Sequence, residues 1–251
     1  MEIMINISNI SKKYGNGDEI LKGIDLEIYR EEFVAIMGPS GSGKTTLLNA
    51  MSTIDKSTSG KIEISGRNIT NIKDKELSKF RRDTVGFVFQ NFNLLDNMSI
   101  RDNIALPLVL NNVENKLILK KINELSSLLG IKKHLDKYPY QLSGGERQRA
   151  AICRALIMEP KVIFADEPTG SLDSKSTKDV LNCFKSINKE LKTTIVMVTH
   201  DANAASFCDR VFFLEDGSIY GKLDSDGDNK DLLKRTLNML AIIGGGSDEF
   251  I

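Results

Sequence analysis

Residues Gly38, Pro39, Ser40, Gly41, Ser42, Gly43, Lys44 and Thr45 carry the spacing G-x-x-x-x-G-K-[ST], and Thr46 follows directly. An apolar run, Phe33–Met37, precedes them and a helical pattern follows, which is the context this spacing requires. Without a Cβ, Gly38, Gly41 and Gly43 let the backbone close on a phosphate. Successive N–H groups and the start of the next helix then point at the anion. Lys44 sets one ammonium against the β- and γ-phosphates, and the Thr45 hydroxyl can ligate Mg2+.

A second chemical feature is the pair Asp166 and Glu167, at the end of the apolar run Val162–Ala165. Ligands of open parallel sheets gather at such carboxyl ends. Adjacent carboxylates in a half-buried place are costly unless a cation or a reaction uses them. Asp166 suits the metal, which leaves Glu167 to act as general base towards a water. A third feature is Leu142-Ser143-Gly144-Gly145-Glu146-Arg147-Gln148, just before a helical run at Arg149–Met158. It is a second anion-binding helix start. One nucleotide does not need two such elements from one chain, so the pair suggests a nucleotide held between two protein molecules.

These residues have to be carried by a scaffold. Ile3, Ile5 and Ile7 alternate, Ile20–Ile28 forms a second strand-like run, and Phe33–Met37 a third. Lys44–Ser52 reads as a helix; Lys61–Ser65 and Val85–Phe89 read as strands. From about Ser99 to Glu159 the pattern is helical, with Ile118, Ile122, Leu125 and Leu129 on one face. Strand pattern returns at Val162–Ala165 and Thr194–Val198 around a helix at Lys175–Leu191, which implies a buried parallel sheet. Phe212–Leu223 reads as a hairpin turning at Asp216-Gly217. Leu232, Leu233, Thr236, Leu237, Leu240 and Ile243 make a last amphipathic helix, and Gly244–Phe250 reads as a frayed tail.

Composition narrows the classes. The 251 residues include 34 basic and 34 acidic side chains, so there is no overall charge to draw the chain to nucleic acid. Three cysteines, Cys153, Cys183 and Cys208, lie far apart, which argues against a disulfide framework or a zinc site and is compatible with a reducing compartment. Cys153 is expected in the core. No run approaches the roughly 20 apolar residues that cross a bilayer, and no secretory signal opens the chain. An intracellular protein whose membrane role comes through a partner is expected. His134, beside Lys132 and Lys133, reads as a solvated surface residue.

Taken together, the motifs resemble those of the ATP-binding cassette (ABC) transporter ATPases over almost the whole chain. The matching parts are GPSGSGKTT (38–46), Gln90, LSGGERQ (142–148), VIFADE (162–167), SLD (171–173) and His200 after a strand. The departure is Glu146, where many members carry Gln. The resemblance implies an α/β P-loop NTPase: a RecA-like mixed sheet with helices on both faces, an antiparallel β subdomain and an inserted helical subdomain. The implied boundaries are 1–90 and 160–222 for the nucleotide-binding core with its β subdomain, 91–159 for the helical subdomain, and 223–251 for a C-terminal extension.

It also implies roles. Tyr14 stacks on adenine. Residues 38–46 hold the phosphates, Thr45, Gln90 and Asp166 serve Mg2+, and Gln90 also approaches the attacking water. Glu167 is the base and His200 bonds the γ-phosphate, with Lys44 beside them. Ser143, Gly144 and Gly145 face the nucleotide of an opposite copy, and Asp173 links the two sites. Partners implied are a second copy and a separate membrane permease, with the chain on the cytoplasmic face of the membrane. The apolar residues Phe92, Leu94, Leu95, Met98 and Ile100 read in part as a permease groove.

Within the family, FVFQNFNLLDNMSIRDNIALPL, MVTHDANAASFCDRVFFLEDGSIY and the tail after Leu223 look like the bacterial antimicrobial-peptide resistance cassettes, which often couple to a sensor kinase. Lipoprotein-releasing, macrolide-type and division-associated cassettes, or a soluble iron–sulfur assembly ATPase, are the alternatives. No long insertion separates the two glycine motifs, unlike the DNA-repair members.

Overall fold

The computed structural model describes residues 2–15 and 17–244. The chain opens with two long strands, β1 (Ile3–Lys13) and β2 (Glu19–Tyr29), then the short β3 (Phe33–Met37) and helix α1 (Lys44–Met51). After these come β4 (Ser59–Ile64), the two-residue β5 (Arg67–Asn68), α2 (Asp74–Thr84) and β6 (Val85–Val88). Three helices follow without a strand: α3 (Ile100–Leu110), α4 (Asn115–Leu128) and α5 (Gly144–Leu156). The last third holds β7 (Val162–Asp166), α6 (Ser174–Leu191), β8 (Thr194–Val198), α7 (Ala202–Ala205), β9 (Arg210–Glu215), β10 (Ser218–Asp224) and α8 (Asn229–Ile243).

Two sheets result. One is antiparallel, in the order β2-β1-β4-β5. The other is mixed, in the order β10-β9-β3-β8-β7-β6, and only β10 runs against its neighbour. The alternation along β3 shows why it is central. Phe33, Ala35 and Met37 face the core shared with α3, α5, α6 and α8, while Val34 and Ile36 face α1 and the antiparallel sheet. Burial on both faces is the reason for five consecutive apolar residues there. Helices thus cover both faces of a mixed α/β sheet, the architecture the motifs imply.

The sequence pattern missed α2 altogether. Its eleven residues include seven charged ones and only Leu77 and Phe80 as large buried side chains, so no apolar stripe announces it. Helix α5 begins at Gly144, five residues before the helical run seen in the sequence. Two glycines weaken a helix, but Ser143 caps this one: its Oγ accepts the Glu146 N–H, and the Glu146 carboxylate accepts the Ser143 N–H. Residues 245–250 of the expected tail lie outside the described residues. Among the described residues, no helix is long and apolar enough to cross a membrane.

Candidate functional site

Strand β3 ends at Met37, and the chain turns at Gly38 into a loop that closes on α1. Gly38 has φ +153 and a Cβ there would lie 2.0 Å from the Leu214 carbonyl oxygen, so only glycine fits. Gly43 stands at the helix start with φ +103, and no side chain caps the first N–H groups. Lys44 Nζ donates to the carbonyls of Gly38 and Pro39, at 3.0 and 2.7 Å, which folds the ammonium back over the loop. Burial pushes the Lys44 pKa down, while Glu167 and Asp166 oppose that shift. Ser42 Oγ is buried without a hydrogen-bond partner inside the same loop.

The carboxyl ends of β7 and β8 bring the acidic residues to this loop. Asp166 Oδ1 accepts the Thr45 hydroxyl at 3.3 Å. Burial raises the Asp166 pKa, and the Thr45 hydrogen bond works against it. Glu167 takes a left-handed backbone, φ +43, which is rare for a residue with a Cβ. Its Oε1 lies 3.0 Å from His200 Nδ1. The Gln90 amide completes this corner: a Cβ on Gly170 would stand 2.8 Å from Gln90 Nε2 and 3.4 Å from Glu167 Oε2. A hydroxyl and a carboxylate at a helix start are the hard oxygen donors that suit Mg2+.

Tyr14, at the end of β1, is half exposed. Its hydroxyl donates to Asp55, and Lys12 Nζ lies 4.4 Å from the ring centroid. The start of α5 stands apart from these groups. The hydrogen bonds of the Ser143 side chain stay within its own capping box. Gly144 abuts Leu172, and Gly145 abuts Ser176 so closely that a Cβ would come within 3.0 Å. Asp173 caps α6, accepting the N–H groups of Lys175 and Ser176 and the Ser176 hydroxyl. Lys44, Thr45, Asp166, Glu167, His200 and Gln90 therefore converge, whereas Ser143, Gly144, Gly145 and Asp173 form a second cluster.

One expectation changes and another narrows. His134 is buried, not solvated: the turn at Lys132–His134 leaves both lysines exposed and folds the ring inward. Ile100 is wholly buried and Leu94 packs against the core, so of the five apolar residues after Gln90 only Leu95 is largely exposed. The positioning roles of two residues, Gln148 of the signature and Arg154, were not foreseen. Gln148, fully buried on α5, donates from Nε2 to the carbonyls of Phe89 and Pro168, tying the helix to the ends of β6 and β7. Arg154 donates to the carbonyls of Phe92 and Asn93 and clasps the loop after Gln90. A polar residue on the inner face of α5 was the available signal. Cys153 is in the core, as expected.

Known proteins resemble this chain in sequence and fold. The ABC transporter family matches residues 21–170. A relative named bacitracin export ATP-binding protein BceA, from Halalkalibacterium halodurans, is 48% identical over 246 residues, covering 96% of this chain and 97% of that protein. The lipoprotein-releasing system ATP-binding protein LolD of Bacteroides fragilis is 43% identical, over 86% of this chain and all of that protein. The dimeric post-hydrolysis structure of the cassette MJ0796, a protein of Methanocaldococcus jannaschii, bound to ADP and Pi, superposes with a TM-score of 0.81. It is 39% identical, over 90% of this chain and 100% of that one. With its phosphate loop, its paired carboxylates and these relatives, the chain belongs to the ABC transporter family as an ATP-binding, ATP-hydrolysing subunit.

Proposed function

We propose that two copies of this chain clamp ATP between the phosphate loop of one and the Ser143 helix start of the other, and that the cycle drives a separate membrane permease. The two-copy part of this reading is supported by the dimeric cassette to which the chain is similar, and the observation that carries the hydrolysis is the division of two adjacent carboxylates. Asp166 is engaged by Thr45 from α1, and Glu167 by His200 from the end of β8. One carboxylate is thereby turned to the phosphate side and the other is held by an imidazole for a different task.

Bound at Thr45 and Asp166, with Gln90 close by, Mg2+ would neutralise charge on the phosphate oxygens. Lys44 meets the β- and γ-phosphates once ATP draws it from its two carbonyls. Tyr14 offers a half-exposed ring for adenine. Glu167 accepts a proton from water as that water attacks the γ-phosphate. His200 orients the carboxylate and contacts the γ-phosphate. Ser143 and Gly145 of the opposite copy complete the site, Gly144 lets the backbone approach, and Asp173 joins one site to the other. Work is possible because ATP binds the closed pair more tightly than the open one.

The substrate class we assign is a peptide antibiotic acting on the cell envelope, with the chain at the cytoplasmic face of the membrane and a sensor kinase coupled through the permease. Support comes from the bacitracin-export relative, whose similarity runs over 96% of this chain, where the lipoprotein-releasing relative accounts for 86%. Deleting the gene should sensitise the cell to bacitracin-like peptides, and wild-type chain should restore resistance where Glu167→Gln does not. Unchanged sensitivity would remove the peptide-antibiotic assignment.

A further inference from the structure

His134 is among the buried titratable groups that the mechanism so far leaves unused. The His134 ring is 6% exposed, and its Nε2 lies 3.0 Å from Glu146 Oε1. The approach is off-axis, so that neither ring nitrogen completes a hydrogen bond despite the short contact. An ionised carboxylate only accepts, so a proton on Nε2 is drawn towards it across this contact. Burial lowers the His134 pKa against the pull of Glu146, with Lys133, Lys137 and Arg149 adding positive charge nearby. Burial therefore favours the uncharged ring, and the facing carboxylate favours its Nε2–H tautomer.

Glu146 is not idle on its other side. Its Oε2 accepts both the Ser143 N–H and the Ser143 hydroxyl, each at 2.9 Å. The Ser143 hydroxyl has a single proton, and Glu146 holds it. The same carboxylate is a negative charge at a helix start that is meant to meet a phosphate, where an anion of its own competes. How Glu146 is turned therefore decides how Ser143 is presented.

We propose that His134 is a positioning residue for Ser143, acting through Glu146: it holds one carboxylate oxygen inward and so fixes the other on the capping box. This rests on the reading that Ser143 meets the γ-phosphate of the opposite copy's ATP.

The test is a mutant cycle on the full chain, read as steady-state ATPase kinetics and as binding of a fluorescent ATP analogue. Ser143→Ala should lower turnover; unchanged turnover removes the reading on which the inference rests and takes the inference with it. Given that loss, His134→Leu should lower kcat about tenfold, a typical size for coupled residues of one network, and leave analogue binding by the single chain unchanged. His134→Gln, which keeps an N–H donor, should recover most of the turnover. In a Glu146→Gln background His134→Leu should cost little. Equal losses in both backgrounds, or His134→Gln as impaired as His134→Leu, overturn the proposal. Should His134→Leu not fold, His134→Asn, polar but too short to reach Glu146, is read in the same cycle.

Discussion

Helices α1 and α5 both start on glycines, and they are finished in opposite ways. The start of α1 has Gly43 at the cap, no side chain on its first N–H groups, no acid in its first turn, and Lys44 as its first residue. The start of α5 has Ser143 at the cap, a closed capping box and Glu146 in the first turn. Unpaired N–H groups and the positive end of the helix dipole, reinforced by an ammonium, can hold a polyphosphate unaided. A start whose Ser143 and Glu146 donors are already used, and which carries a carboxylate, binds an anion weakly alone. It can only add to a phosphate presented by something else. On the proposed reading the contrast implies an order of events: the α1 loop takes the nucleotide first, and the α5 helix of another copy meets it afterwards.

The sharpest way to break this comparison is Ser143→Arg. The bulky cation should reduce ATP turnover to background while the single chain still binds nucleotide, because the two tasks sit on different helix starts. Wild-type turnover in that variant would mean that one copy suffices. Glu167→Gln comes next: kcat should fall by about 10²–10⁴, or roughly 3–5.5 kcal/mol of barrier. Nucleotide should still bind, and ATP should then accumulate a species of twice the mass in size-exclusion chromatography. A monomer under saturating ATP would contradict the sandwich. Lys44→Ala acts on the other helix start and should weaken ATP binding itself, by about 10- to 100-fold, the range of a charge-assisted hydrogen bond. Unchanged affinity there would show that the α1 loop is not the primary cradle.

Much of this was legible before any coordinates. The strands β3, β7 and β8 are continuous apolar runs because both faces are buried, and each ends on a residue that the site uses or adjoins. The glycines of the phosphate loop are legible from their spacing, and the structure adds for Gly38 that a side chain would collide with Leu214. What stayed hidden did so for physical reasons. Helix α2 buries too little to leave a periodic stripe. His134 was disguised by its neighbours: Lys132 and Lys133 belong to a tight turn, and in such a turn adjacent side chains point in different directions. Burial of Ile100 and Leu94 depends on how α3 packs against the sheet core, which local sequence does not report. The roles of Gln148 and Arg154 depend on carbonyls far away in sequence, at Phe89, Pro168 and Phe92.

The smallest expected effect tests whether the α5 start is closed by charge. Hydrogen bonds from Ser143, backbone first, hold the Glu146 carboxyl below its usual range, with burial opposing. Between the folded and unfolded values the folded chain binds fewer protons than the unfolded one. The contribution of Glu146 to stability is therefore complete above the ordinary glutamate range and fades as pH falls through the lower folded value. Glu146→Gln keeps a capping side chain and removes the charge, which at a helix N-terminus contributes about 0.3–1 kcal/mol. In urea titrations the wild type should be the more stable chain by roughly that amount at about pH 7, and the gap should close towards about pH 3. A gap that is the same at both pH values would show that the carboxylate acts only as a hydrogen-bond acceptor, and that the contrast between the two helix starts lies in geometry rather than in charge.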